Sequence, residues 1–226
     1  SILIMKFNIL TIFPESLESY FSSSILKRAQ DKKLISIKTH DIRKSAGDKR
    51  GTVDDTPYGG GAGMVLKIDV VHKALKKVYP RKNKSTRVIL ISTRGKTLDQ
   101  NEVKRLVKYK RLIMIAGHYE AIDARIDKFV DEKISLGNFV LTGGELAAAC
   151  IVDAVSRLVP GVVGKEESVQ DESFSFYNQK KEEFNIEYPQ YTRPEKFKGL
   201  EVPQVLLSGN HQKIREWREK QTKYRK

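Results

Sequence analysis

Val88-Ile89-Leu90-Ile91 and Leu112-Ile113-Met114-Ile115-Ala116 are unbroken apolar runs, separated by a segment that reads as a helix capped by Asp99. A strand wet on one face alternates apolar and polar residues, whereas an unbroken run suits a strand covered on both faces, as in a parallel sheet. The pair predicts a β-α-β unit, and the flanking sequence extends it. Phe7 to Ile12 is a third apolar run. It is ended by Pro14, a residue type favoured in the first turn of a helix. Ile35 and Ile37 alternate with polar neighbours, as in an edge strand. Asp69 is expected to cap a helix carrying Val70, Val71, Ala74, Leu75 and Val78, closed by Pro80 ahead of the basic loop Arg81-Lys82-Asn83-Lys84. Gly144 to Val159 reads as a further strong helix, closed by Pro160-Gly161. The expected fold is α/β, a mostly parallel, doubly wound sheet with helices on both faces.

With 226 residues the chain has room for one large domain, or one plus a small partner. From about Val162 to Gln179 the composition shifts to Glu, Ser, Gln and Asp without periodicity, which reads as a flexible connection. Beyond it come Pro189, Pro194 and Pro203, then a helix from about Asn210 to Lys223 dense in Lys and Arg, a small basic helical module. The expected organisation is a domain over residues 5–162, a linker over 163–179 and a second domain over 180–226. The four residues before Met5 are set aside.

The charge balance, 42 Lys and Arg against 28 Asp and Glu, leaves a formal +14. Such an excess favours a polyanionic partner through phosphate contacts and counterion release. No apolar run approaches the roughly 18 residues of a membrane span. The sole cysteine, Cys150, cannot form an intramolecular disulfide, and no signal peptide is evident at the start. A cytoplasmic, membrane-independent protein is expected. Cys150 follows Leu146-Ala147-Ala148-Ala149 and is expected to be a buried small hydrophobe. The histidines His40, His72, His118 and His211 are far apart and match no zinc spacing, so no metal site is assigned.

The densest motif is Thr52-Val53-Asp54-Asp55-Thr56-Pro57-Tyr58-Gly59-Gly60-Gly61-Ala62-Gly63-Met64, where four glycines in five residues allow close backbone approach to a ligand. It lacks the Gly-Lys-Ser/Thr of a P-loop, and Met64 stands where a dinucleotide fingerprint needs glycine. Three turns are expected directly after strands: Ser92-Thr93-Arg94-Gly95, Gly117-His118-Tyr119-Glu120, and Leu136-Gly137-Asn138-Phe139-Val140-Leu141-Thr142-Gly143-Gly144. Ligands of open α/β sheets bind outside the carboxyl ends of strands, so three glycine-bearing turns there favour a pocket. Arg157, near the end of the last helix, and the following carboxylates Glu166, Glu167, Asp171 and Glu172 could form an acid/base pair, or the acidic stretch could be a solvated linker.

Taken with Leu136 to Glu145, Tyr191-Thr192-Arg193-Pro194 and Val202-Pro203-Gln204-Val205-Leu206-Leu207-Ser208-Gly209-Asn210-His211, these motifs resemble the bacterial tRNA (guanine-N1)-methyltransferases, the TrmD family, over nearly the whole chain. The resemblance implies a homodimer whose α/β domain contains a deep trefoil knot, and which moves a methyl group from S-adenosyl-L-methionine to N1 of guanosine 37 in tRNA. Its partner is the anticodon stem-loop rather than DNA, with Mg²⁺ an expected accompaniment. The donor would be held by Ser92, Thr93, Gly95, Gly117, Tyr119, Glu120, Leu136, Gly137, Asn138, Phe139, Val140, Leu141, Gly143 and Gly144. Asp54, Tyr58 and Gly59 would face the target base. Arg157 would stabilise negative charge on guanine O6, while Glu172, standing where an aspartate is usual, or Asp171 beside it, would take the N1 proton. Thr93, His118 and Ala121 depart from the proline, arginine and glycine common in the family.

Overall fold

Leu112, Ile113, Met114 and Ile115 are all completely buried, in the central strand of a five-stranded parallel sheet. The computed structural model describes residues 4–164, 172–178 and 183–225, and the chain divides after Gly164 into two compact units. In the first, β1 (Met5–Thr11) is followed by a 3-10 turn with Pro14 in its first turn, α1 (Glu18–Phe21), α2 (Ser24–Asp31) and β2 (Ile35–Asp41). Next come β3 (Asp54–Asp55), β4 (Val65–Leu66), α3 (Ile68–Val78), β5 (Thr86–Thr97), α4 (Gln100–Leu106) and β6 (Arg111–Ile115). The unit closes with β7 (Ala121–Ile122), β8 (Glu132–Ser135) and α5 (Glu145–Arg157).

The sheet order is β2-β1-β6-β5-β8, every pair parallel, with β2 at the edge that its alternation predicts. Side chains alternate across a strand, so β6 feeds two cores. Leu112 and Met114 join Phe7, Ile9, Ile89 and Ile134 against Leu26, Leu106 and the inner side of α5. Ile113 and Ile115 join Leu10, Val88 and Leu90 against Val70, Val71, Ala74 and Leu75 of α3. Each such buried side chain contributes about 2 kcal/mol from removal of apolar surface from water. A second, three-stranded sheet, β3-β4-β7, ties the glycine-rich region to the segment after β6.

Several expectations need correction. Asp69 lies inside the first turn of α3, whose cap position is Lys67, so it meets the helix dipole rather than capping. Asp99 does cap α4, accepting from the Glu102 amide. Cys150 is exposed, not buried. It follows Leu146 by one turn on the outward side of α5, whereas Ala147, Ala148, Ile151, Val152 and Val155 take the inner side. Ser92–Gly95 is not a turn after a strand but a bulge within β5, which resumes pairing at Lys96.

The second unit holds the helices Gln204–Leu207 and His211–Gln221. It also has a three-stranded antiparallel sheet of Tyr177–Asn178, Glu183–Ile186 and Lys223–Arg225, which the sequence pattern did not signal. Lys223 therefore belongs to a strand and not to the preceding helix. Ring contacts join Phe184 to Phe174 and Tyr177, and Trp217 to Tyr188 and Tyr191. None of this unit's described residues is buried.

Candidate functional site

Three glycine-bearing segments, the bulge within β5 and the stretches that follow β6 and β8, make contacts at several of which glycine is required. In the β5 bulge, Ile134 of β8 pairs with both Ile91 and Lys96, leaving residues 92–95 looped out between two anchored ends. A β-carbon on Gly95 would fall 2.5 Å from the Ile134 amide nitrogen and 2.6 Å from the Lys133 carbonyl carbon, so only glycine allows this approach. The Ser92 hydroxyl accepts from the Arg94 amide at 3.2 Å, and Thr93 is exposed.

An ion-pair network stands beside the bulge. Lys96 Nζ donates to Glu102 Oε1 at 2.7 Å, and Arg105 donates to Glu102 Oε2 and, at 2.5 Å, to Glu132 Oε2. Arg87 completes it by donating to Glu132 Oε1 at 2.6 Å. Burial pushes the Glu102 carboxyl up, but the hydrogen bonds from Arg105 and Lys96 outweigh this and hold it below the usual carboxylate range.

After β6, residues 117–120 cross the segment 143–144. His118 and Gly143 form an antiparallel bridge, and the Gly144 amide donates to the Gly117 carbonyl at 2.7 Å. A β-carbon on Gly144 would lie 2.8 Å from Ala116 Cα, so the start of α5 sits hard against the end of β6. Tyr119 takes a left-handed backbone, φ +60, rare for a side chain of its size. After β8, the Ser135 hydroxyl accepts from the Gly137 amide, and Asn138, Phe139, Val140 and Leu141 are exposed, with Leu136 half-buried. Exposed apolar side chains beside uncovered backbone suit a ligand with a flat apolar ring and polar edges, such as an adenosyl group.

The glycine-rich region is drawn to the same place. β4 pairs with β7, the Glu120 amide donates to the Met64 carbonyl at 3.2 Å, and the Glu120 side chain occupies the space a β-carbon on Gly63 would need. Asp54 is half-buried on β3 and is fixed by the fully buried Val53 next to it. Tyr58 is fully exposed, and Gly59 has open space around its α-carbon.

The proposed acid/base groups are not brought together within one unit. Arg157 is the last residue of α5 in the first unit, and Glu172 belongs to the second, where its carbonyl accepts from Asn185 Nδ2 at 3.0 Å. Asp171 lies outside the described residues, as do 165–170 of the expected linker. Two residues that sequence reasoning did not single out sit at the loop crossing, Thr11 and Glu145, whose side chains meet at 2.6 Å.

The family model for tRNA (guanine-1)-methyltransferase TrmD matches residues 5–226. The chain belongs to this family. A curated tRNA (guanine-N(1)-)-methyltransferase of Syntrophomonas wolfei is 50% identical over 218 residues, covering 96% of this chain and 85% of the relative. One of Dehalococcoides mccartyi is 46% identical over 219 residues, covering 96% and 86%. The crystal structure of the tRNA (m1G37) methyltransferase from Aquifex aeolicus superposes with a TM-score of 0.76 at 37% identity, covering 94% of this chain and 87% of that one.

Proposed function

We propose that the chain transfers a methyl group from S-adenosyl-L-methionine to N1 of guanosine 37 in tRNA, as a cytoplasmic homodimer. The observation that supports this reading is the crossing of residues 117–120 with 143–144, together with the glycine-dependent bulge of β5 against β8, in a chain half identical to curated methyltransferases of this class. The residues present fit the donor: backbone groups of 92–95, 117–120 and 136–144 for polar edges, and Tyr119, Phe139 and Leu141 for an apolar face. When bound, the donor supplies a methyl group on a sulfonium that is its own leaving group. Region 5–162 would hold the donor, and 180–226 would grip the tRNA beyond the linker 163–179. Gly144 lets the start of α5 pack directly on Ala116, in the part of the domain for which the family resemblance implies a deep trefoil knot.

Guanine N1 carries a proton and is a poor nucleophile until a base removes it, an assistance of about 10² to 10⁴ in rate. Glu172 or Asp171 is assigned that role. Arg157 is assigned to the charge that grows on O6 as the proton leaves. Asp54, Tyr58 and Gly59 are assigned to the base, which must leave its stack to enter the site, at lower cost from an anticodon loop than from a duplex. Among the described residues no group of three His, Cys, Asp or Glu is placed to hold a metal ion, and Mg²⁺ is assigned no step.

Helix length supports the dimer. α5 begins at the crossing and ends at Arg157, twelve steps on, and at about 1.5 Å per residue the two are roughly 18 Å apart. An arginine side chain cannot span that, so Arg157 of one copy would serve the loops of the other. The outward side of α5, with Leu146 58% exposed beside Cys150, offers apolar surface for a second copy.

The test is incubation with labelled S-adenosylmethionine and unmodified tRNA having guanosines at 36 and 37, followed by nuclease mapping. Label on N1 of guanosine 37 is expected. A ribose methyl would reassign the site, and no transfer to any RNA would leave an RNA-binding protein on the same scaffold.

A further inference from the structure

Glu145 is a carboxylate with only 8% exposure, in the first turn of α5 where the loops cross. Its Oε1 accepts from the Thr11 hydroxyl, at the end of β1, at 2.6 Å. Its Oε2 lies 3.6 Å from His118 Nδ1, just beyond hydrogen-bond range. That ring nitrogen is buried and makes no hydrogen bond, a costly condition for a polar atom. Nothing stands between the two because residue 143 is glycine: a β-carbon there would fall 2.2 Å from Glu145 Oε2 and 2.5 Å from His118 Nδ1.

We propose that His118 and Glu145 are a positioning pair for the donor loops. This rests on the reading that those loops seat the methyl donor. Glu145, moored to β1 through Thr11, faces His118 Nδ1, and closing the gap by a few tenths of an ångström would let the ring N–H donate to Oε2. The contact fixes residues 117–119 against 143–144. The other groups facing the ring are Phe13, edge-on at 4.9 Å with Arg43 across that ring, and Tyr119 at 5.3 Å, with Glu120 next along the chain. Of the two carboxylates, Glu145 is the one within reach of Nδ1.

The experiment is titration calorimetry of the full chain with S-adenosylmethionine, for the parent protein, Glu145→Gln, His118→Phe and the double variant. Each single variant is expected to weaken donor binding by about fivefold, and the double variant by no more than either alone, since both remove one contact. Parent-like affinity in both single variants, or losses that add in the double variant, overturns the pair. Should E145Q not fold, Thr11→Val, which removes the mooring and keeps the carboxylate, is expected to weaken binding, and parent-like binding by it would count against the pair. Hydrogen exchange separates this failure from that of the underlying reading. Donor protection of amides 117–120 in the parent, with parent-like affinities in the variants, removes the pair alone. No protection removes both.

Discussion

Gly95→Ala tests whether the β5 bulge is built by backbone contact. The new methyl group would start 2.5 to 2.6 Å from three backbone atoms of Lys133 and Ile134, whereas ordinary contact begins near 3.4 Å, so β8 and the bulge must separate by about 1 Å. Neither side is a flexible side-chain end that could swing away. Gly95 has no left-handed backbone, so the clash alone sets the cost. Overpacking of this kind costs about 1 to 3 kcal/mol. For a chain of this size 2 kcal/mol lowers Tm by about 4 to 8 °C. Affinity should suffer more, because misplacement by about 1 Å can cost on the order of 10²-fold. The control is Gly47→Ala, where a β-carbon meets nothing within 4 Å and the backbone is unstrained. Thermal denaturation and calorimetry with S-adenosylmethionine would be run on both. If G95A matched G47A in Tm and in donor affinity, the claim that this glycine is demanded by β8, and the donor reading of the bulge with it, would fail.

Other outcomes follow from the same geometry. Arg157→Ala and Glu172→Gln should lower turnover by about 10² or more while leaving donor affinity unchanged; loss of donor binding in calorimetry would show their roles to be misassigned. Asp171→Asn decides between the two carboxylates, since inactivation by it and not by E172Q would make Asp171 the base. The Glu102 carboxyl, held below its ordinary pKa, contributes stability that is complete above the unfolded value near 4.3 and is lost as pH falls through the depressed one. Glu102→Gln should therefore lower stability at pH 7 by about 2 kcal/mol and flatten the acid limb of a Tm against pH plot, and an unchanged limb would refute the assignment. Inactive R157A and G95A chains, mixed and allowed to exchange, should regain about a quarter of parental activity if each site draws on two copies, and none if each copy is self-sufficient.

The parallel sheet was legible because its central strands carry unbroken apolar runs, a pattern that sheet position alone explains. The loops at its ends were legible from glycine placement. The β5 bulge was not, because whether a strand resumes after Ser92-Thr93-Arg94-Gly95 depends on Ile134, far along the chain, offering a second pairing to Lys96. Cys150 was misjudged because the three alanines ahead of it hide which face of α5 points outward. Glu145 lay within a quoted motif yet drew no role, since its partner Thr11 is 134 residues away. The small sheet of the second unit was missed for want of alternation in Tyr177–Asn178 and Lys223–Arg225, strands too short to carry a period.

That second unit, whose described residues are at most half-buried, buries little apolar surface with which to hold itself in shape. Its melting would hardly register as a heat-capacity change, and proteases would find it before the sheet. If it grips tRNA as proposed, the bound polyanion would harden it, and raising the salt would soften it again.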